Sequence, residues 1–214
     1  MTSRRNYREL KEFSERFPFG ARVIGLTGGI ASGKTVATEA LRANGYAVID
    51  ADEISRALSA VGTPLERLLA DSFPECKVNG SLDRKSLRKL IAASPAAAQK
   101  LNSLTHPAIA DEIKRRVAET PPPVVLSAPL LFECALASLC DCVVTVTCPR
   151  QIRIERIKKR DGVTASDAAS IIDAQLNDAL RVSLSDFCVP SDIPRDEFVN
   201  EITDLFDRLC ARKR

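Results

Sequence analysis

The sequence predicts an α/β fold in which a parallel sheet is flanked by helices, and three observations lead to this prediction. Short apolar runs rich in β-branched residues alternate along the chain with segments of helical periodicity. A glycine-rich turn joins the first apolar run to the first helical segment. Residues 54–119 carry helical patterns with little strand signal, which predicts a helical lobe inserted between two strands of the sheet.

The individual elements follow from these patterns. Strands are predicted at residues 23–27, 46–50, 124–128, 142–147 and 187–189. Helices are predicted at residues 35–42, 64–71, 84–92, 96–104, 108–118, 152–159, 166–180 and 197–209. Residues 1–20 form an N-terminal extension, in which Tyr7, Leu10, Phe13 and Phe17 recur at helical spacing and predict a short helix. Residues 21–214 are expected to form one domain that includes the helical lobe.

The turn after the first strand matches the phosphate-loop pattern, in which Gly and any four residues precede Gly-Lys-Ser/Thr. Its residues are Gly28, Gly29, Ile30, Ala31, Ser32, Gly33, Lys34 and Thr35. Glycines let the backbone wrap closely around an anion, and the N-terminus of the next helix adds unpaired N–H groups. In such a loop the Lys34 ammonium reaches the β- and γ-phosphates, and the Thr35 hydroxyl holds Mg²⁺. The alternative is a chance glycine-rich turn, but the flanking strand and helix favour a site for a nucleoside triphosphate.

Two carboxylates, Asp50 and Asp52, follow the second predicted strand. Ligands of an open parallel sheet bind beyond the carboxyl ends of its strands, so we expect these residues on the γ-phosphate side of the loop. Both are expected to lie in an extended stretch, and one of them is expected to point into the cleft. That carboxylate could accept a proton from an attacking hydroxyl or hold a Mg²⁺-bound water. The alternative is that one of them only caps a helix beginning near Glu53.

A basic helix is predicted late in the chain. Arg153, Arg156 and Arg160 recur at spacings of three and four and therefore share one helix face. Arginines in such a position stabilise the charge of a phosphoryl group during transfer, so residues 150–181 are predicted to form a basic helical lid. For most of these arginines the alternative is an ordinary solvated face.

The composition restricts the class of partner. The formal net charge of +3 does not indicate nucleic acid, and no apolar run approaches the ~20 residues of a membrane span. We therefore expect a small-molecule substrate, no nucleic-acid partner and no membrane, and the oligomeric state is left open. The seven cysteines include no Cys-x-x-Cys pair and accompany a single histidine, which excludes the usual zinc spacings. Their odd number indicates no disulfide framework and a cytoplasmic location.

Several separated segments together resemble the dephospho-coenzyme A kinases, the last enzymes of coenzyme A synthesis. They are residues 26–35 with the phosphate loop, 48–56 with Asp-Ala-Asp, 80–88, 101–109 with His-Pro, 128–133 with Pro-Leu-Leu, and 156–162. The resemblance covers about residues 23–187. It implies a P-loop NTPase-type fold, ATP and Mg²⁺ as cofactors, and transfer of phosphate to the ribose 3′-hydroxyl of dephospho-coenzyme A, giving coenzyme A and ADP.

The resemblance also implies roles for single residues. Asp52 is similar to the aspartate proposed as base for the acceptor hydroxyl, and Arg156 matches the lid arginine that contacts the transferring phosphate. With Lys34 they form the implied catalytic set. The implied substrate contacts are Thr27, Asp50, His106, Leu130 and Arg160. For Leu130 simple packing is the alternative, and for His106 a core or capping position.

The chain departs from the family pattern at a few positions. Ser127 stands where many members carry an acidic residue, and residues 190–192 replace an Asn-containing turn near the adenine. These departures bear on metal contacts and on the preference for ATP over GTP. Gln175 matches a glutamine near the lid, and Arg181 stands where the family tends to have Lys.

Two other functions were considered for the same residues. A small P-loop kinase with a nucleotide or sugar acceptor shares the loop, but the helical lobe and its His106-Pro107 pair favour dephospho-coenzyme A. A nucleotide-gated switch ATPase is expected to have an apolar strand that ends in an acidic metal ligand. The strand beginning at Val124 ends in Ser-Ala instead, which favours a kinase.

Overall fold

The computed structural model describes residues 20–211 and contains two compact units. The helical unit is Asp50–Glu119, and the sheet unit consists of the described residues before and after it. The predicted helix near Tyr7 lies outside the described residues. The roles predicted for residues 54–119 as an inserted lobe and for residues 150–181 as a lid stay predictions.

The strands of the sheet unit are β1 (Val23–Thr27), β2 (Ala47–Asp50), β5 (Val124–Ser127), β6 (Cys142–Thr147) and β7 (Phe187–Pro190). Their order is β2-β5-β1-β6-β7, and β1 pairs in parallel with both β5 and β6. The central strands are buried along nearly their whole length, which explains why their sequences are continuous apolar runs rather than alternating patterns. The sheet therefore aligns the carboxyl ends of β1 and β5, where Leu26 is in register with Ser127.

The described helices are α1 (Lys34–Ala43), α2 (Ala51–Leu58), α3 (Pro64–Ser72), α4 (Arg84–Ala93), α5 (Pro95–Glu119), α6 (Arg150–Asp161), α7 (Ala165–Asp173), α8 (Asp178–Ser183) and α9 (Arg195–Cys210). Helices α1 and α9 bury apolar faces against the sheet, and Leu41, Ile202 and Phe206 join Ile24 and Val144 in one core. This amphipathic packing supplies most of the stability of such helices.

The helical unit has its own core. Phe73 lies at its centre, among buried residues such as Leu69, Cys76 and Leu82. A short antiparallel hairpin of β3 (Lys77–Val78) and β4 (Ser81–Leu82) closes one side. The carboxylate of Glu66 supports this hairpin by accepting the backbone N–H of Leu82 at 2.8 Å.

Two predictions about helices were wrong, and one short hairpin was missed. The two helices predicted at 96–104 and 108–118 form one helix, α5, which passes through Pro107. Leu101, Leu104 and Ala108 pack on the same core from both sides of that proline, and this packing outweighs the hydrogen bond that proline removes. The helix predicted at 166–180 is divided into α7 and α8, because Asn177 starts a new helix by accepting the N–H of Ala179. The hairpin was not predicted, since its strands have two residues each.

Among residues 20–211, none of the helices combines the length and the apolar character that crossing a bilayer requires.

Candidate active site

The phosphate loop connects β1 to α1. The Ser32 N–H donates to the Gly29 carbonyl at 3.0 Å, and Ala31 and Gly33 have positive φ angles of 59° and 102°. A Cβ at Gly33 would also lie 3.0 Å from the Ser191 side chain, so this position requires glycine for two reasons. Gly33 is the N-cap of α1 and makes no side-chain cap. A helix N-terminus without a side-chain cap is a common binding site for an anion.

Lys34 is held at the carboxyl end of β5. Its ammonium donates to the Ser127 hydroxyl at 2.9 Å. Ser127 is fully buried, and its Oγ lies 3.2 Å from the hydroxyl of Thr38, which donates to the Lys34 carbonyl at 3.0 Å. Residue 127 is a serine, whereas the pattern described above has an acidic residue there. A neutral hydroxyl, rather than a carboxylate, therefore lies beside Lys34.

Thr35 is exposed in the first turn of α1. It offers a single hydroxyl as a metal ligand, and residues 20–211 contain no group of three or more His, Cys, Asp or Glu able to hold a metal ion. This donor set fits a Mg²⁺ ion that arrives with the phosphates, because Mg²⁺ keeps several waters and takes few protein ligands.

Thr27 and Leu130 lie at the same end of the sheet unit. The Thr27 hydroxyl is buried and donates to the Pro129 carbonyl at 3.4 Å. Leu130 is 38% exposed, whereas its neighbour Leu131 is fully buried and lies against Gly25 of β1. Leu131 is thus a packing residue, and Leu130 presents its side chain to solvent.

Two arginines of α6 bind backbone oxygens of the loop. Arg153 is almost completely buried and donates to the Ile30 carbonyl at 2.7 Å. Arg156 donates to the Ala31 carbonyl at 3.0 Å and to both the carbonyl and hydroxyl oxygens of Ser191. Ser191 in turn donates its hydroxyl proton to the Ser32 carbonyl. Helix α6 is therefore tied to the loop in this structure.

The third arginine of the predicted face differs from the other two. Arg160 is exposed and forms a two-point ion pair with Asp161, its neighbour in the chain, at 2.7 Å. Its predicted substrate contact stays a prediction.

Burial of Arg153 lowers its pKa, and the nearby carboxylate of Asp178, whose oxygen lies 2.5 Å from Nη1, opposes this effect. Arg181 is equally buried and pairs with Glu133 at 3.4 Å. The sequence placed Arg153 among the predicted lid arginines and matched Gln175 to a glutamine near the lid, but it predicted no hydrogen bond from either residue to Ile30. Only their contacts with the loop identify them.

Asp50 and Asp52 lie together at the start of α2, in the helical unit. Asp50 is the N-cap of that helix, and its carboxylate accepts the N–H groups of Asp52 and Glu53 at 2.9 and 3.1 Å. The premise of an extended stretch was wrong, because helix begins at Ala51 and places Asp52 in its first turn, exposed to solvent. Asp50 therefore caps the helix, which was the alternative stated for one of the two aspartates.

His106 lies in the middle of α5, half-buried, next to the exposed Pro107. Its predicted contact with the acceptor stays a prediction.

All seven cysteines are reduced in this structure. Burial raises the pKa of the Cys140 thiol to about 12 and raises that of Cys142 further, so both behave as small apolar side chains.

Comparison with known proteins places the chain in a family. The family model for dephospho-CoA kinase matches residues 22–194, which include the loop, the helical unit and helix α6. The chain belongs to the dephospho-CoA kinase family. Family members are kinases, and the protein is therefore a phosphotransferase that acts on a small molecule.

One relative and two solved structures illustrate the match. The dephospho-CoA kinase of Idiomarina loihiensis is 37% identical over 192 residues, which are 88% of this chain and 95% of that protein. The crystal structure of TT1252 from Thermus thermophilus has a TM-score of 0.77 at 24% identity and covers 90% of this chain and 100% of that one. The dephospho-CoA kinase from Campylobacter jejuni has a TM-score of 0.60 at 21% identity, covering 88% and 97%. These structures confirm the P-loop kinase fold.

Proposed function

We propose that the protein uses ATP to phosphorylate the ribose 3′-hydroxyl of dephospho-coenzyme A, giving coenzyme A and ADP. The observation that carries this proposal is the family match over residues 22–194, because it includes the phosphate loop together with the segments on the acceptor side. The reaction takes place in the cytoplasm, on a small molecule, without nucleic acid or membrane.

The loop binds the triphosphate. Backbone N–H groups between Gly29 and Lys34 surround the β-phosphate, except those of Ile30 and Ser32, which donate to Gln175 and Gly29. The Lys34 ammonium bridges to the γ-phosphate. The Lys34 ammonium already donates to the Ser127 hydroxyl at 2.9 Å, so the side chain loses less conformational freedom when the nucleotide binds. Thr35 contributes a hydroxyl to Mg²⁺, which neutralises phosphate charge when bound.

Asp52 is the base. Its carboxylate takes the proton of the 3′-hydroxyl as that oxygen forms a bond to the γ-phosphorus, and the bond from this phosphorus to the bridging oxygen breaks to release ADP. The solvent-exposed position of Asp52 in the first turn of α2 leaves its carboxylate able to receive a substrate. Asp50 fixes that turn by capping it, and it is also our candidate for a substrate contact.

Arg156 stabilises the phosphoryl group during transfer. In this structure its guanidinium binds the carbonyl oxygens of Ala31 and Ser191, so it is already held beside the loop. Thr27, His106, Leu130 and Arg160 complete the proposed substrate contacts.

The test is ATP consumption by the purified protein with Mg²⁺, with and without dephospho-coenzyme A, with the product identified by mass. We expect turnover that depends on the acceptor and yields coenzyme A. The Lys34→Ala variant should lose several orders of magnitude in turnover while it keeps the circular dichroism spectrum of the folded protein. Tight nucleotide binding without acceptor-dependent turnover would overturn the proposed substrate and leave the loop assignment intact.

A further inference from the structure

The backbone of Ile30, at the tip of the phosphate loop, is bound at both its N–H and its C=O by side chains from far along the chain. The N–H of Ile30 donates to the side-chain oxygen of Gln175 at 2.7 Å. The carbonyl of Ile30 accepts the Nε–H of Arg153 at 2.7 Å. We call Gln175 and Arg153 the Ile30 clamp. The two bonds come from α6 and from the bend after α7, and they restrict rotation of the two peptide units that flank Ile30.

Arg153 also packs against the loop. A Cβ at Gly29 would lie 2.5 Å from Nη2 and 2.8 Å from Cζ of Arg153, so the guanidinium covers Gly29 directly. The same guanidinium is paired with Asp178 at 2.5 Å, which compensates the charge of a side chain that is only 2% exposed. Gly29 is therefore required for space.

The segments that carry the clamp are themselves packed on the loop. Ile30 and Ala31 lie against a small apolar core formed by Ile154, Ile157, Ala168 and Ile172 of α6 and α7. Arg150 joins these two helices by a two-point ion pair with Asp173 at 2.5 and 2.8 Å. The clamp is thus carried by α6 and the end of α7 as a packed pair of helices.

We propose that Gln175 and Arg153 are positioning residues, which clamp the backbone of Ile30 on both sides and hold the phosphate loop in its binding shape before the nucleotide arrives. The proposal rests on the proposed function only in requiring that the loop binds a nucleotide. A loop that is already ordered pays less conformational entropy on binding, so loss of the clamp weakens nucleotide affinity. It also leaves the part-buried N–H of Ile30 without its protein acceptor.

The test compares ADP binding with hydrogen exchange at the clamped amide. Gln175→Leu removes the oxygen that accepts the Ile30 N–H, whereas Gln175→Glu keeps an oxygen at the same position. Gln151→Leu is the matched control, because Gln151 is exposed on α6. Affinity for ADP with Mg²⁺ is measured by calorimetry, and exchange of the Ile30 amide is measured by NMR on protein labelled with ¹⁵N-isoleucine. Arg153→Lys and Gly29→Ala disturb the other half of the clamp.

We expect Gln175→Leu to speed exchange of the Ile30 amide and to raise the Kd for ADP about tenfold. Gln151→Leu should change neither. Gln175→Glu should keep the amide protected, because its carboxylate still accepts the bond. Arg153→Lys and Gly29→Ala should weaken ADP binding in the same direction.

Unchanged ADP affinity in Gln175→Leu would overturn the proposal, whether or not exchange at Ile30 became faster. Loss of amide protection in Gln175→Glu would overturn it as well, since the acceptor oxygen would then be irrelevant. Neither measurement uses dephospho-coenzyme A. Failure of phosphate transfer to that acceptor would therefore contradict the proposed function while leaving the clamp in place.

Discussion

The ammonium of Lys34 donates to the hydroxyl of Ser127 at 2.9 Å, and this bond joins the phosphate loop to the buried end of β5. Ser127 is fully buried, so its hydroxyl stays in place without competition from solvent. The bond fixes the position of the lysine that is proposed to bridge to the γ-phosphate.

Ser127→Ala should therefore weaken nucleotide binding. A hydrogen bond to a charged group is typically worth about 1.5–3 kcal/mol, so we expect the KM for ATP to rise about tenfold with a smaller change in kcat. The fold should survive, because Thr38 keeps its bond to the Lys34 carbonyl. Steady-state kinetics would check this against Ser138→Ala, a control at an exposed serine. A lower KM would mean that Ser127 competes with the nucleotide for Lys34.

Substitutions of Asp52 and Asp50 should distinguish the general base from the residue that caps α2. Asp52→Asn should lower kcat by at least about 100-fold while the KM for ATP changes little, since a general base acts on the hydroxyl proton. Asp50→Asn should be milder, because asparagine caps helices about as well as aspartate and can still accept the N–H groups of Asp52 and Glu53. Single-turnover and steady-state rates would decide. A larger loss in Asp50→Asn would assign the base to Asp50.

Arg156→Ala should slow phosphate transfer by about 100-fold while ADP affinity is largely retained. The reason is that charge on the phosphoryl group develops during transfer. Ser191→Ala is the matched variant, because it removes one contact of Arg156 and leaves the Ser191 carbonyl contact at 3.0 Å. If Arg156→Ala weakened ADP binding as much as it slowed transfer, Arg156 would be a binding residue held at Ala31 rather than a group that acts during transfer.

The helical unit should lose stability in acid through Glu66. This side chain is buried, and its hydrogen bonds from the backbone N–H groups of Leu82 and Gly62 hold its pKa below the ordinary value of 4.5. A carboxyl whose pKa is lowered by folding stabilises the folded state above its unfolded pKa, and this contribution disappears as the pH falls below about 4.5.

Glu66→Gln should therefore lower the melting temperature at pH 7 by a few degrees. It should also reduce the further fall in melting temperature between pH 5 and pH 3. An amide has only one accepting oxygen, so it cannot accept both N–H groups as the carboxylate does. Thermal unfolding followed by circular dichroism would measure both effects, with Glu75→Gln as the control at an exposed carboxylate of the same unit. Equal melting curves for Glu66→Gln and the native protein would contradict this role.

The sequence by itself determined the order of strands and helices, the phosphate loop and the family. Buried parallel strands require continuous apolar runs such as the one from Cys142 to Thr147, and an anion-binding turn requires glycine, as at Gly33. These are local requirements that single segments satisfy, and they are therefore visible in the order of residues.

Only the tertiary structure decided which polar side chains face solvent and which serve the loop. Arg153 and Arg160 have the same residue type and lie on the same helix, yet one binds Ile30 in the interior and the other pairs with Asp161 at the surface. Gln175 reaches a peptide 145 positions away, and Pro107 stays inside a helix because apolar side chains on both sides of it share one core. Such outcomes depend on contacts between distant segments, and helical spacing or local propensity carries no information about those contacts.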